Sequence, residues 1–427
     1  MKRIIVLIWV SLLVFNSPGS ASENKSGEPA VTEKEAEVLE EAGRLSGKNL
    51  DEAIEFLKGS LNSSSSLALD FTLGNLYFQK DKLEEARACY QKVLDKFPEF
   101  NRARANLCRV LIRQEKTDEA IQQFKRILLE GKPAPSTLTL MGYTFLLKNQ
   151  PVPAETAYRQ AILGEPEDVN AYLGLTKSLL MQERFREALK LLEQLLEDDP
   201  FNSQFWSLKA DAHLAVGEPD EAVIALESAR RLKVTKFSDL ANLGDLYLNR
   251  GQAEDALSAY DQAFSLENPS IDRLLRAIEG FIMTRNPHQA DKLLSRVSDL
   301  QKTAPLTGKQ KNKLLMCQAR LAQIKGENEI AFRIYEELLK EDPLNGEVLI
   351  AIGNLYREKG KLEEALIVYE RVARISGKEV EALICQAQVE VERQRYEKAV
   401  ELLQAAQSIS PQPNVARYLE QIGRLVR

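Results

Sequence analysis

Histidine, cysteine and tryptophan are nearly absent from this chain, which has two, four and two of them among 427 residues. His213 and His288 stand alone, with no cysteine or second histidine at the short spacing that builds a metal site. No phosphate-cradling glycine loop, nucleophile elbow or zinc-binding histidine pair occurs either. Carboxylates are plentiful, but they follow the outer faces of amphipathic stretches, where they are solvated. The chain is therefore read as non-enzymatic, with no catalytic, cofactor-binding or metal-ligating residue. Excess positive charge is also lacking: the formal net charge is −6. It becomes about −8 once a leader carrying Lys2 and Arg3 is removed, which argues against nucleic acid as a partner.

Long apolar runs are missing with one exception. Lys2-Arg3 precede an apolar run from Ile4 to Phe15, followed by Asn16-Ser17-Pro18-Gly19-Ser20-Ala21-Ser22. Those are the three regions of a secretory signal in order. The run is shorter than the roughly 20 residues of a membrane span, so cleavage after Ala21 or Ser22 is expected, leaving no transmembrane segment. The first cysteine is Cys89, so none stands at the cleavage point to carry a lipid. Cys89, Cys108, Cys317 and Cys385 read as buried thiols. A Cys89–Cys108 bridge between adjacent helices is the alternative.

What the chain has in abundance is repetition. Ala86, Ala120, Ala154, Ala188, Ala222, Ala256 and Ala290 follow one another at intervals of 34 residues. After a step of 41 the ladder resumes as Ala331, Ala365 and Ala399. Leu73-Gly74-Asn75-Leu76-Tyr77 ahead of the first rung recurs as Leu243-Gly244-Asp245-Leu246-Tyr247 and Ile352-Gly353-Asn354-Leu355-Tyr356. An aromatic and a proline follow the rungs, as in Tyr90 and Pro98, Tyr158 and Pro166, or Tyr335 and Pro343. This pattern resembles the tetratricopeptide repeat.

The period accommodates two helices and two short turns, and neither helix alone can bury its apolar stripe. The small residue of the first helix (Gly74, Gly142, Ala210, Gly244, Gly353) and the alanine of the second are expected at the helix crossing. Asp81 with Glu84 is expected to form a capping box at the second helix of its repeat. The fold class is all-α, a right-handed α-solenoid of about ten or eleven helix pairs.

The expected organisation is a signal over 1–22, a flexible leader over 23–32 and an N-terminal arm over 33–304. That arm holds a degenerate first repeat at 33–66, then 67–100, 101–134, 135–168, 169–202, 203–236, 237–270 and a weak 271–304. An insertion at 305–311, rich in Pro and Gly, reads as a loop or a broken helix end. A second arm spans 312–413, and a helix over 414–427 caps the last repeat.

Such an architecture implies a concave groove lined by the first helices. Its inward places are Phe71, Asn75 and Phe78; Arg102, Arg109 and Arg113; Thr139 and Tyr143; Lys177 and Met181; then Asp211, Asp245, Asp272 and Glu279. Arg102, Asn106, Arg109 and Arg113 share one helical stripe. Guanidinium groups crowded on one stripe favour an anionic ligand, since arginine binds carboxylates in bidentate fashion. Asn75 and Asn106 also match the asparagines of a terminal-carboxylate clamp found in some members of the resembled family. Phe71, Ser136 and Leu140 stand where its basic residues belong, so that clamp is not expected here.

The resemblance implies a scaffold that binds a protein or peptide partner, here an acidic one, on Phe71, Asn75, Phe78, Arg102, Asn106, Arg109, Arg113 and Tyr143. The signal adds export, to a bacterial periplasm, in envelope assembly, polysaccharide export or secretion. The alternative is a glycan-binding subunit of a polysaccharide synthesis or export complex, with an acidic polysaccharide as ligand.

Overall fold

The computed structural model describes residues 31–62, 65–131, 133–302 and 305–426. The expected signal and most of the leader lie outside them. Among the described residues there are twenty-three helices and no strand. In chain order they are α1 (Glu33–Ser46), α2 (Leu50–Ser60), α3 (Leu67–Gln79), α4 (Leu83–Lys96), α5 (Asn101–Arg113), α6 (Thr117–Glu130), α7 (Pro135–Leu147) and α8 (Pro151–Gly164). Next come α9 (Val169–Met181), α10 (Phe185–Asp198), α11 (Ser203–Ala215), α12 (Pro219–Arg231), α13 (Phe237–Asn249), α14 (Ala253–Leu266), α15 (Ile271–Met283) and α16 (Pro287–Gln301). The last are α17 (Gly308–Ile324), α18 (Asn328–Glu341), α19 (Gly346–Glu358), α20 (Leu362–Val372), α21 (Glu379–Glu392), α22 (Tyr396–Ile409) and α23 (Pro413–Gly423). No helix among the described residues is long and apolar enough to cross a membrane. Consecutive pairs pack as helical hairpins, the arrangement of a helical solenoid.

Two compact units divide the chain, Met1–Ala222 and Val223–Arg427, with the boundary inside α12. In the first, one core runs from Phe71 through Tyr90, Leu107, Phe124 and Tyr158 to Ala188. Leu39, Ala42, Ile54 and Leu57 of the irregular first repeat close it with Leu69 and Leu73. In the second, clusters form around Tyr335, Tyr369 and Leu403, and α23 adds Val415 and Ile422 to the last of them.

From α3 onward the turn inside the hairpin is the most regular feature of the backbone. Lys82 donates its backbone N–H to Tyr77 O at 2.9 Å and Asp81 donates to Phe78 O at 3.1 Å, closing α3 in a Schellman motif. The residue between must take a positive φ. It is Asp81, Glu115, Asn149, Glu183 or Gly217 in the first unit and Gly251, Arg285, Gly326, Gly360 or Gln394 in the second, all between 56° and 78°. Asp81 is therefore committed to ending α3 and cannot cap α4. The expected Asp81–Glu84 capping box does not form; Lys82 is the N-cap, without a side-chain bond.

The alanine rungs are completely enclosed, each 0 % exposed. The space vacated by the first-helix glycine is taken by the aromatic ring four residues after the rung, not by the alanine itself. A Cβ on Gly74 or on Gly142 would lie 2.8 Å from the ring of Tyr90 or Tyr158 respectively.

Of the 305–311 insertion, Pro305 to Thr307 forms a connection and Gly308 to Lys311 adds a first turn to α17, which reaches 17 residues. Thr307 and Gln310 cap it reciprocally, the Thr307 hydroxyl accepting from Gln310 N–H and the Gln310 side chain from Thr307 N–H. All four cysteines are free thiols, so the Cys89–Cys108 bridge is absent. Burial pushes Cys108 and Cys317 up to about 12 and Cys89 and Cys385 up to about 11.

Candidate partner-binding face

The arginine-bearing stripe belongs to α5, whose neighbours are α3 and α7, the first helices of the adjoining repeats. Asn75 Oδ1 on α3 accepts two hydrogen bonds, from the Tyr90 hydroxyl at 2.7 Å and from Asn106 Nδ2 at 2.8 Å. Asn106 turns its own Oδ1 to Arg109, which donates to it at 2.9 Å. A neutral relay thus holds the guanidinium in place. Arg109 is partly buried, and desolvation pulls its pKa down from the ordinary guanidinium value without discharging it. Among the described residues no carboxylate lies within ion-pair distance of it.

The flanking arginines are less available. Arg113 pairs with Asp81 at 3.1 Å and lies 5.4 Å from the Phe78 ring centroid; Arg102 lies over Phe71 at 5.6 Å. Phe78 is half-buried beneath that first cation. Phe71 is 3 % exposed and packed against Tyr90 and Phe100, so it is a core residue and offers no ring face to a ligand. Ala105 and Ala241, which hold the same place in their repeats, are buried as well. Tyr143 is 39 % exposed, and Leu147 and Met181, at the register of Arg113 in the next two repeats, are 50 % and 42 % exposed.

Acids expected on the same face in the second unit are matched internally. Arg273 donates to Asp245 Oδ2 at 2.9 Å, the Tyr260 hydroxyl donates to Asp245 Oδ1 at 2.6 Å, and Arg273 stacks 5.3 Å from the Tyr260 ring. Asp272 accepts from Gln310 at 3.1 Å and Glu279 pairs with Lys313 at 3.0 Å. In the first unit, Thr139 donates to Asp168 at 2.6 Å, while Lys177 is exposed. Asp245 and Asn75 occupy the same place in their repeats. The acid neutralises its neighbouring guanidinium, whereas the amide leaves Arg109 positive.

Several buried charges are not among the residues the sequence singled out. Arg104, 2 % exposed, donates to Pro98 O and to Gln123 Oε1, the latter at 3.1 Å. Asp70, 5 % exposed, accepts from Lys92 at 2.8 Å. Glu390, fully buried, is ringed by Lys398 at 3.0 Å, Arg393 at 3.7 Å and Arg395 at 3.8 Å. The available signal is register: Asp70 and Arg104 align with Leu138 and Leu240, and Glu390 aligns with Tyr247 and Tyr356. His213 fills that same tyrosine place and meets Glu218 through Nδ1 at 2.9 Å. These groups find their partners inside the fold. No cluster of three or more His, Cys, Asp or Glu able to hold a metal occurs among the described residues.

Comparison with known proteins bears on this architecture. Family models described as tetratricopeptide repeat match residues 71–136 and 318–380, 145–212 and 179–243, and 240–269, together more than half of the chain. A tetratricopeptide repeat protein 21 homolog of Caenorhabditis briggsae is 22% identical over 67% of this chain and 25% of its own length. The DnaJ homolog subfamily C member 3 of Gallus gallus is 22% identical over 65% of this chain and 52% of its own. The chain thus spans between a quarter and about half of these relatives. Among solved structures, a tetratricopeptide repeat protein from Parabacteroides merdae is 19% identical, covering 67% of this chain and 98% of that one, with a TM-score of 0.44. The matched segments, the alanine ladder and the paired helices agree: the chain belongs to the tetratricopeptide-repeat family.

Proposed function

We propose that this protein is a non-enzymatic, exported scaffold that holds a protein partner by a carboxylate on the first-helix face of α3, α5 and α7. One observation carries the reading. Arg109 is a partly buried guanidinium held by Asn106, with no acid beside it among the described residues. A buried cation without a counter-ion is costly, and an incoming carboxylate offsets that cost through charge-assisted hydrogen bonds. The family's use of repeats as interaction scaffolds supports a protein partner. The basic residues and apolar run from Lys2 to Phe15 support export, to a bacterial periplasm and a role in envelope assembly, polysaccharide export or secretion.

The test is a fluorescence-anisotropy titration with a labelled, amidated hexaglutamate peptide. Wild-type protein binds it in a salt-dependent manner, and Arg109→Gln, which keeps a hydrogen bond available to Asn106, weakens binding at least about tenfold, or ~1.4 kcal/mol. Equal affinity for the two proteins would sink the reading. An acidic polysaccharide such as alginate that binds in place of the peptide, with the same dependence on Arg109, would favour the glycan alternative. Enclosure of Phe71 removes one of the rings a sugar would have stacked on.

A further inference from the structure

We infer that the partner presents a peptide segment with two separated acidic side chains, one seated on Arg109 and the other on Lys177 two repeats along. The inference rests on the Arg109 reading above and specifies its ligand. Arg109, Tyr143 and Lys177 follow one another at the 34-residue period on α5, α7 and α9, so they hold one place of the repeat on three successive first helices. These three helices contain no acidic residue. The first helices on either side do, with Asp70 on α3 and Asp211 on α11, the latter at the same place of its repeat as Lys177. The acid-free stretch is a local feature, because the chain as a whole carries a formal charge of −6.

The second unit shows this place with its charges compensated. Asp245 pairs with Arg273 at 2.9 Å, Glu279 pairs with Lys313 at 3.0 Å, and Arg320 pairs with Glu347. Each partner comes from the repeat that follows, so a neighbouring repeat can reach this place with a charged side chain. In the first unit no neighbour brings an acid to either cation. Lys177 is exposed and, like Arg109, has no carboxylate within ion-pair distance among the described residues. A lone exposed ammonium is well solvated, but two positive charges on an acid-free face maintain a potential that complements an acidic segment. Tyr143, 39 % exposed on the helix between them, places no charge in the way of the chain joining the two acids. Two acids on one chain bind more tightly than either alone, because the second contact forms intramolecularly. Asp211 ends the track by repelling a third.

The experiment titrates the full chain with labelled, amidated decaglutamate at one ionic strength, since screening alters every charge contact. Lys177→Gln weakens binding at least threefold. Lys190→Gln makes the same charge change at an exposed position on α10, the second helix of that repeat, and leaves affinity within a factor of about 1.5. In the Arg109→Gln background, Lys177→Gln costs less than it does in wild type, because the bridge between the two anchors is already broken. Equal losses from Lys177→Gln and Lys190→Gln would mark a diffuse charge effect, and additive losses from Arg109→Gln and Lys177→Gln would mark two independent sites. Either result overturns the inference and leaves the Arg109 reading standing, as does an alginate oligomer that responds to Lys177→Gln when decaglutamate does not. Hexaglutamate binding that ignores Arg109→Gln overturns the underlying reading instead.

Discussion

A Cβ on Gly244 would stand 2.5 Å from the ring of Tyr260. That ring also donates its hydroxyl to Asp245, the residue beside the glycine, so one tyrosine both fills the crossing and fixes the polar face next to it. Tyr90 does the same with Gly74 and Asn75, and Tyr369 with Gly353 and Asn354. Packing inside the hairpin and display on its surface are thus one device.

Gly244→Ala is expected to destabilise the second unit by ~1–3 kcal/mol, the usual cost of overpacking a close contact. Urea unfolding followed by circular dichroism reads the effect. Adding Tyr260→Leu should give a double variant less unstable than the sum of its parts; strict additivity would show that the ring is not what excludes the methyl group.

The hairpin turns make a second prediction. Glu183 and Gly251 share the positive-φ place, at 58° and 72°. A side chain there costs about 1 kcal/mol that glycine avoids, less the entropy glycine loses on folding. Glu183→Gly should therefore raise the unfolding midpoint slightly, and Gly251→Ala should lower it. A Glu183→Gly variant less stable than Gly251→Ala would contradict this account of the turn.

Glu155 is one source of acid sensitivity. Burial alone would raise its pKa from 4.5, but hydrogen bonds from Gln182 and Arg159 and the charge of Arg184 outweigh it and leave the group depressed. A carboxylate depressed in the folded state contributes stability that is present above its unfolded pKa and lost as pH falls through the folded one. The stability gap between wild type and Glu155→Gln should be widest above pH 4.5 and narrow below it. A gap that stays constant in acid would show that Glu155 is not ionised in the fold.

With thiols pushed up to about 11 or 12 and mostly enclosed, Ellman's reagent at a pH of about 8 should find little reactivity in the native protein. After denaturation without reductant it should titrate all four. A count of two would restore the Cys89–Cys108 bridge.

Much of the fold is legible along the chain because its periodicity lies there. The rungs from Ala86 to Ala399 locate the helix pairs, and Val415 and Ile422 mark the closing helix. The Asp81 capping box fails because Asp favours both a cap and a left-handed turn, and only the connection length between α3 and α4 decides between them. Phe71 reads as a surface ring because helical register gives a direction without saying how far the neighbouring repeat reaches over it. Phe100, arriving from the next connection, covers it.

By itself the sequence determined the all-helical repeat architecture, because an enclosed small residue at fixed intervals leaves few ways to bury the stripes on either side. It also put the four polar residues of α5 on one stripe, a matter of helical geometry alone. The tertiary structure decided which cation lacks a counter-ion. Arg113 meets Asp81 and Arg273 meets Asp245, each joining residues of different repeats, whereas Arg109 faces a chain of amides from Asn106 to Asn75. Charge compensation depends on distances between repeats, which a linear pattern does not contain.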